Sequence, residues 1–269
     1  MQQFLPNLLG VDNLKAEPWA EYWLGIHPKG AAKVQWLGGE TSLPDFLDHN
    51  PEVLHGAAAS SFEKLPFLLK ILDVRTMLSI QLHPTRERAQ VGFLREETLG
   101  IPRLAPNRSY KDQNHKPEVM VALTDFWLLH GFRSAAEIEK TLEEIPAWSS
   151  LRDTLNRGGV TALYKTVMEA PQEQVDEWLG PLYEELHQRD DLREEEVAYW
   201  AWQAFEQYTR NGHFDRGIFS FYWFNLVKLK AGEGIFQGAG LPQAYLRGVN
   251  VELMANSDNV LRGGLTHKH

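Results

Sequence analysis

The residue pattern of this 269-residue chain changes twice along its length, which constrains its fold more than any single motif. Residues 1–133 mix strand-like runs with loops rich in Pro, Gly and Asn. Residues 134–209 place apolar side chains at helical spacing, and from about residue 210 short strand-like runs return between glycine-containing turns. The pattern therefore predicts a mainly β fold with an α insert. We expect a jelly roll (β-sandwich) built from 1–133 and 210–269, interrupted by a helical domain at 134–209.

Composition narrows the classes of partner. The chain has no cysteine, which excludes disulfides and zinc sites built on thiolates. Its net charge is −9, and residues 134–209 hold 17 Asp/Glu against 6 Lys/Arg, whereas the rest holds 19 against 21. This balance disfavours nucleic acid as a partner, although the slightly basic remainder can hold a small anion.

Two further observations concern the location of the protein in the cell. The N-terminal stretch MQQFLPNLLG lacks the basic and long apolar regions of a signal peptide. The longest aromatic-rich apolar run, residues 217–227, is too short to span a bilayer. We therefore expect a cytoplasmic protein with no membrane partner.

The stretch LSIQLHP, residues 78–84, alternates aliphatic and polar residues as a strand does. Gln81 and His83 would then share one face, with Leu78, Ile80 and Leu82 on the other. Two interpretations are open at this point: a polar strand edge that faces solvent, or a pair of ligands for a divalent ion, since imidazole nitrogen and amide oxygen can both bind one.

Three other stretches carry polar residues in apolar surroundings. The loop DQNHKPEVMVAL holds Lys116 and Glu118 at the start of a strand, where a carboxylate can bind a metal or simply belong to a charged loop. LPFLLKIL contains Lys70, which either reaches the surface or enters a buried site. VELMANSDNVLRGGLT contains Glu252 and Arg262, which suit either an anion-binding site or a hairpin with an outer salt bridge.

In combination, these stretches resemble the type I mannose-6-phosphate isomerases. The resemblance rests on AEYWLGIHP, LPFLLKIL, SIQLHP, NHKPE, ALTDFWLLHGFR and VELMANSDNVLRGGLT, which occur in the family's order and approximate spacing. It covers nearly the whole chain and is weakest in the helical segment. It implies a cupin-type jelly roll with an inserted helical domain, and one zinc ion per chain.

The resemblance also implies the metal ligands. Three of them correspond to Gln81, His83 and Glu118, which would answer what the polar face of the LSIQLHP strand holds. The fourth family ligand is a histidine, but this chain reads GLPQAYLRG there and has Gln243 instead. Because an amide oxygen is a harder and weaker donor than imidazole, Gln243 could bind zinc loosely or favour another divalent metal.

The implied reaction interconverts mannose 6-phosphate and fructose 6-phosphate through a cis-enediol. Lys70, Lys116 and Arg262 are implied to contact the sugar phosphate, and the same residues with Glu252 are the catalytic candidates. The alternatives are a catalytically impaired sugar-phosphate-binding cupin that acts as a sensor, which Gln243 favours, and a different metal-dependent cupin enzyme. The family's further C-terminal β domain is expected to be absent, and a monomer or weak homo-oligomer follows as the expected assembly.

Overall fold

The computed structural model describes residues 4–54 and 64–266, which form eleven strands and eight α-helices. The strands are β1 (Glu21–Leu24), β2 (Lys33–Trp36), β3 (Gly39–Ser42), β4 (Phe67–Val74), β5 (Gln81–Leu82), β6 (Glu118–Ala122), β7 (Phe126–Phe132), β8 (Phe224–Leu229), β9 (Gly234–Gln237), β10 (Pro242–Ala255) and β11 (Leu261–Arg262). The helices are α1 (Phe4–Leu9), α2 (Leu43–His49), α3 (Arg86–Thr98), α4 (Ala135–Glu144), α5 (Arg152–Glu169), α6 (Gln172–His187), α7 (Val197–Tyr208) and α8 (Phe219–Trp223). Short 3₁₀ helices cover Pro51–Leu54, Pro146–Leu151 and Arg216–Ile218.

Two antiparallel layers share strand β10. The first sheet has the order β1–β4–β10–β6–β9, and the second sheet has the order β11–β5–β10–β7–β8. The N-terminal half of β10 pairs in the second sheet and its C-terminal half pairs in the first. This arrangement is the expected cupin-type β fold, and β2 and β3 form a separate hairpin.

Burial shows how the layers are stacked. Met120 and Leu72 from the first sheet pack against Phe126 and Leu128 from the second, so one core lies between the sheets. The opposite side of the second sheet packs on the helices through residues such as Leu129. Strand β7 is accordingly buried on both faces, whereas β6 alternates buried and exposed positions.

The outer face of the first sheet carries an apolar row. The register aligns Leu24, Leu69, Leu253, Val119 and Phe236 across five adjacent strands. Four of the five are exposed, and Phe236 retains 64% of its accessible surface. Exposed apolar surface of this continuity is a feature of association sites.

The helical prediction agrees with the structure for α4 to α7. Ser134 caps α4 in a capping box with Glu137. The assignment of strands from about residue 210 is wrong for Arg216–Trp223, which are helical because an aromatic run buried on most sides shows no periodicity. Helix α3 escaped prediction because its sequence is largely polar and only four of its residues are buried. The division into a β domain and a helical domain stays a prediction.

Gly248 lies where β10 passes from one sheet to the other. Its φ is +131°, a conformation that residues with a side chain rarely adopt, and an added Cβ would lie 2.6 Å from the backbone oxygen of Asp125. A bulge between Tyr245 and Arg247 precedes it. The bend therefore depends on glycine at this position.

We predict that Gly248→Ala lowers the free energy of unfolding by about 3 kcal/mol or more, because backbone strain and a steric overlap add. Gly240→Ala is the matched control, since Gly240 also has a positive φ, +87°, but has no atom within 4 Å of the added Cβ. The control should lose only about 1 kcal/mol. Guanidinium denaturation measures both, and equal losses would show that the overlap at the bend is relieved by small shifts.

Candidate active site

A cavity of about 90 Å³ lies between the strands of the two sheets. It contains most of the residues singled out in the sequence. Its lining comprises Glu21, Lys70, Leu72, Leu78, Ser79, Gln81, Lys116, Glu118, Gln243, Ala244, Tyr245 and Glu252.

Strand register brings these residues together from distant parts of the chain. Gln243 of β10 lies opposite Gln81 of β5 in the second sheet, and Glu252 of β10 lies opposite Lys70 of β4 in the first sheet. Directly opposed residues of an antiparallel pair have their side chains on the same face. The two halves of one strand therefore contribute to the same cavity from both sheets.

Glu118 has three polar neighbours. Its Oε1 lies 3.2 Å from the Lys116 ammonium and 3.2 Å from His83 Nε2, and its Oε2 accepts a 2.8 Å hydrogen bond from Gln243. Burial favours the neutral acid, but the charge of Lys116 and the hydrogen bond from Gln243 outweigh it and hold the pKa of Glu118 below its usual value. Glu118 is therefore a buried carboxylate at neutral pH.

The tautomer of His83 follows from its hydrogen bond to the backbone. Nδ1 lies 3.1 Å from the carbonyl oxygen of Asn259, which can only accept, so the neutral ring carries its proton on Nδ1. Nε2 then presents a lone pair toward Glu118, and it has no hydrogen-bond partner among the described residues. A lone pair that faces a carboxylate oxygen is stabilised when a cation lies between them.

The donor atoms fit a divalent ion. The Oε1 of Gln243 is also buried without a hydrogen-bond partner in the described part of the chain. The 3.2 Å between His83 Nε2 and Glu118 Oε1 matches two ligands of one tetrahedral zinc, with bonds of about 2.0–2.2 Å. The set has one imidazole, one carboxylate and the amides of Gln81 and Gln243. No cluster of three or more His, Cys, Asp or Glu suited to a metal exists in residues 4–54 and 64–266, so the amides are needed to complete the site.

Glu252 is a second buried carboxyl with the opposite character. Burial and the negative charge of Glu118 raise its pKa to about 7, although Lys70, Lys116 and the Tyr245 hydroxyl partly offset them. Its Oε1 lies 3.7 Å from the Lys70 ammonium, and its Oε2 accepts a 2.8 Å hydrogen bond from Tyr245. A carboxyl that titrates near neutrality can exchange protons with a substrate.

Arg262 is positioned differently from the other candidates. It pairs with Gln81 in β11, but it borders a larger groove of about 920 Å³ on the helical side and does not line the cavity. Its side chain is exposed and makes no hydrogen bond or ion pair with any described residue. Arg262 thus has no structural contact of this kind that its removal would break.

The structure also corrects the reading of LSIQLHP. Only Gln81 and Leu82 form a strand, and Leu78 lines the cavity together with Gln81. Ile80 and Leu82 do lie on the opposite side, against the groove beside the helices. The alternation therefore fails at Leu78, because the chain is irregular before β5 begins.

Several residues of the site were not recognised in the sequence. Ser79 and Tyr245 line the cavity, and each lies two residues from a predicted ligand. Tyr245 shares strand β10 with Gln243, so alternation along the strand was a usable signal for Tyr245. Asn259 lies in the stretch VELMANSDNVLRGGLT, where nothing in the sequence separates it from the neighbouring polar residues. Its buried side chain accepts the backbone N–H of Lys111 and Asp112 and donates to the carbonyls of Asp112 and Asn114.

Comparison with known proteins identifies relatives along nearly the whole chain. The family model "Phosphomannose isomerase type I, catalytic domain" matches residues 5–135. Mannose-6-phosphate isomerases of Salmonella typhimurium and Escherichia coli are each 38% identical over 98% of this chain and 67% of their own length. The enzyme of Rattus norvegicus is 36% identical over 94% of this chain and 61% of its own length.

Solved structures of mannose 6-phosphate isomerases are also similar to this chain. A mannose 6-phosphate isomerase from Salmonella typhimurium bound to its substrate F6P and zinc superposes with a TM-score of 0.88 at 36% identity. A mannose 6-phosphate isomerase in its zinc-bound holo form superposes with a TM-score of 0.87. Both matches cover this whole chain and 68% of the other, so the chain spans about two thirds of the length of these relatives.

We predict that Asn259→Leu lowers the free energy of unfolding by about 3–5 kcal/mol, because it leaves several buried backbone groups without partners. Metal affinity should fall as well, since the carbonyl that orients His83 loses its anchor. Asn225→Leu is the control, because Asn225 also donates to three backbone carbonyls but is exposed. Denaturation and zinc titration measure both effects; unchanged zinc affinity in Asn259→Leu would contradict the orienting role.

We predict that Glu252 contributes a loss of stability to the metal-free protein as pH rises from about 4.5 to 7. The folded chain keeps a proton on Glu252 up to about pH 7, whereas the unfolded chain releases it near 4.5. Unfolding therefore releases a proton within this window and becomes more favourable as pH rises.

Glu252→Gln should flatten this slope, as measured by thermal unfolding at a series of pH values with a chelator present. Glu137→Gln is the control, because the hydrogen bonds of Glu137 to Ser134 lower its pKa below the window. A slope that is the same in Glu252→Gln and the parent would show that Glu252 is ionised throughout.

Proposed function

Because the chain belongs to the type I phosphomannose isomerase family, we propose that it is a metal-dependent aldose–ketose isomerase that interconverts mannose 6-phosphate and fructose 6-phosphate. The reaction moves a proton between C1 and C2 of the sugar through a cis-enediol. It requires a group that takes and returns this proton, and positive charge near the oxygens where negative charge develops.

The observation that carries the proposal is a pair of buried carboxyl groups in one cavity whose pKa values are shifted in opposite directions. Glu118 is held ionised beside metal-donor atoms that have no hydrogen-bond partner among the described residues, while the pKa of Glu252 is raised to about 7. Environments that separate two carboxyl groups in this way assign them different tasks. Here Glu118 suits metal binding and Glu252 suits proton exchange.

We assign one zinc ion per chain to Gln81, His83, Glu118 and Gln243. A bound ion would supply a Lewis acid that polarises or orients the sugar oxygens. The protein's own contribution is to hold the donors in place: Asn259 orients His83, and Gln243 donates to Glu118 while its Oε1 stays free to bind. Three oxygen donors and one nitrogen also suit harder divalent ions than zinc.

Proton transfer is assigned to Glu252, which lines the cavity beside Lys70. Lys70 is held over the Trp23 ring, 5.2 Å from its centre, and Lys116 is buried beside Glu118, so both ammonium groups are available to substrate oxygens at fixed positions. Arg262 is assigned to the negative charge of the enediolate or the phosphate. Its exposed guanidinium has no partner in the described part of the chain, so it can take this role.

We further propose a small-molecule sugar phosphate as the partner, with neither nucleic acid nor membrane, and a cytoplasmic location. The acidic balance of the chain supports the first point. Within the described residues, no helix has the length and apolar character needed to cross a membrane. The assembly is proposed to be a monomer or a weak homo-oligomer, and the apolar row on the first sheet is the surface that would associate. Sedimentation at several concentrations tests this.

The function is tested by a coupled isomerase assay on chelated protein, with zinc and other divalent metals added back one at a time. Zinc should restore turnover of mannose 6-phosphate, and His83→Ala should contain no metal. The alternative of an impaired sugar-phosphate-binding cupin, suggested by Gln243, gains no support from the relatives, which are named as isomerases. Metal binding without turnover would nevertheless favour it over the isomerase.

We predict that Gln243→His tightens zinc binding by roughly tenfold, about 1.4 kcal/mol, because imidazole is a better donor to zinc than an amide oxygen. Competition with a chelator measures the affinity, and Gln207→His, in the helical region, is the control for added histidine. Equal or weaker zinc retention in Gln243→His would mean that Gln243 only orients Glu118.

We predict that Arg262→Ala lowers kcat/KM by about two orders of magnitude or more, since a charged donor aimed at developing negative charge contributes about 3–4 kcal/mol. Arg262→Lys should recover only part of this, because an ammonium cannot make the planar two-point contact. Metal content and melting temperature should match the parent. A loss below about threefold with metal retained would remove Arg262 from the active site.

A further inference from the structure

Gln237 is a buried polar residue that has no role in the proposed mechanism. It ends β9 directly opposite Glu118 of β6, and only 1% of its surface is accessible. Its Nε2 donates a 2.7 Å hydrogen bond to the Tyr245 hydroxyl, while its Oε1 has no hydrogen-bond partner among the described residues. A buried amide with one unpaired end is costly, which calls for an explanation other than stability.

The hydrogen bonds in which Gln237 takes part have a direction. An amide N–H can only donate, so the Tyr245 oxygen is the acceptor in its contact with Gln237. The single hydroxyl proton of Tyr245 is thereby directed to Oε2 of Glu252, at 2.8 Å. A phenol hydroxyl has one proton to donate, so Tyr245 can direct it to only one acceptor.

The hydrogen bond from Tyr245 makes the two oxygens of the Glu252 carboxyl different. Its Oε2 is occupied as an acceptor. Among the described residues, its Oε1 has only the Lys70 ammonium nearby, at 3.7 Å, which is longer than a hydrogen bond. Oε1 therefore keeps a lone pair for a proton, on the side of the carboxyl that faces Lys70.

We propose that Gln237 is a positioning residue: through Tyr245 it reserves Oε2 of Glu252 and leaves Oε1 as the oxygen that exchanges a proton with the substrate. This inference rests on the proposed function, because it requires Glu252 to handle a substrate proton. Gln237 itself touches neither substrate nor metal. Without its N–H, the Tyr245 hydroxyl can rotate, and Glu252 loses its fixed orientation.

The test compares Gln237→Met, Tyr245→Phe and the double variant in the zinc-loaded protein. Gln237→Met has a similar size and removes the unpaired carbonyl, so its melting temperature should be no lower than that of the parent. We expect kcat for mannose 6-phosphate to fall about tenfold with KM and zinc content within twofold of the parent. Tyr245→Phe should lose at least as much, and the double variant should equal Tyr245→Phe within twofold, because Gln237 acts through Tyr245.

Two further variants serve as controls for Gln237→Met. Gln207→Met removes a similar glutamine–tyrosine hydrogen bond in the helical region, to Tyr208 at 2.9 Å, and should leave kcat within twofold. Gln237→Asn keeps an amide that is too short to reach Tyr245, and it should reproduce the loss if the methionine variant fails to fold.

Three results would overturn the proposal while leaving the isomerase function intact: kcat within twofold of the parent in Gln237→Met, losses that multiply in the double variant, or a loss accompanied by lower melting temperature and less zinc. A parent protein that binds zinc but shows no turnover would overturn the proposed function, and this inference with it.

Discussion

The geometry of the site depends on the buried hydrogen bonds of Asn259. The side chain of Asn259 bonds the backbone of the loop that leads into Lys116 and Glu118, and the backbone carbonyl of the same residue accepts from His83. One residue therefore holds two sequence-distant parts of the metal site at a fixed separation. Because each buried backbone group left unpaired costs about 1–3 kcal/mol, the loop has no comparably stable alternative position.

Strand β10 supplies the second constraint. It belongs to both sheets, and the bend at Gly248 lets Gln243 and Glu252, nine positions apart, reach one cavity from opposite layers. The same bend allows Tyr245 to bond Glu252 within one strand, which an unbent strand would prevent. The cavity can therefore enclose two carboxyl groups close enough for the charge of Glu118 to raise the pKa of Glu252. The bend of β10 at Gly248 therefore affects both the packing of the two sheets and the pKa of Glu252.

Much of the site was open to prediction, because its residues lie in short contiguous motifs. Gln81 and Lys70 were expected in the cavity and are found there. Tyr245 and Gln237 were not expected, since neither lies in a charged motif and their importance comes from a hydrogen bond between different strands. The ligand and catalytic roles stay proposals, because they concern groups bound to the protein.

The sequence by itself determined the class of the fold and the family. Local periodicity records whether a segment is a strand or a helix, and the quoted motifs are contiguous, so both can be read without coordinates. The tertiary structure decided which atoms are left unpaired, which carboxyl is ionised and where Arg262 lies. These properties depend on distances between residues that are far apart in the chain. Burial strengthens the interactions between charges and raises the cost of an unpaired polar group, because no water screens the charges or bonds to the polar group.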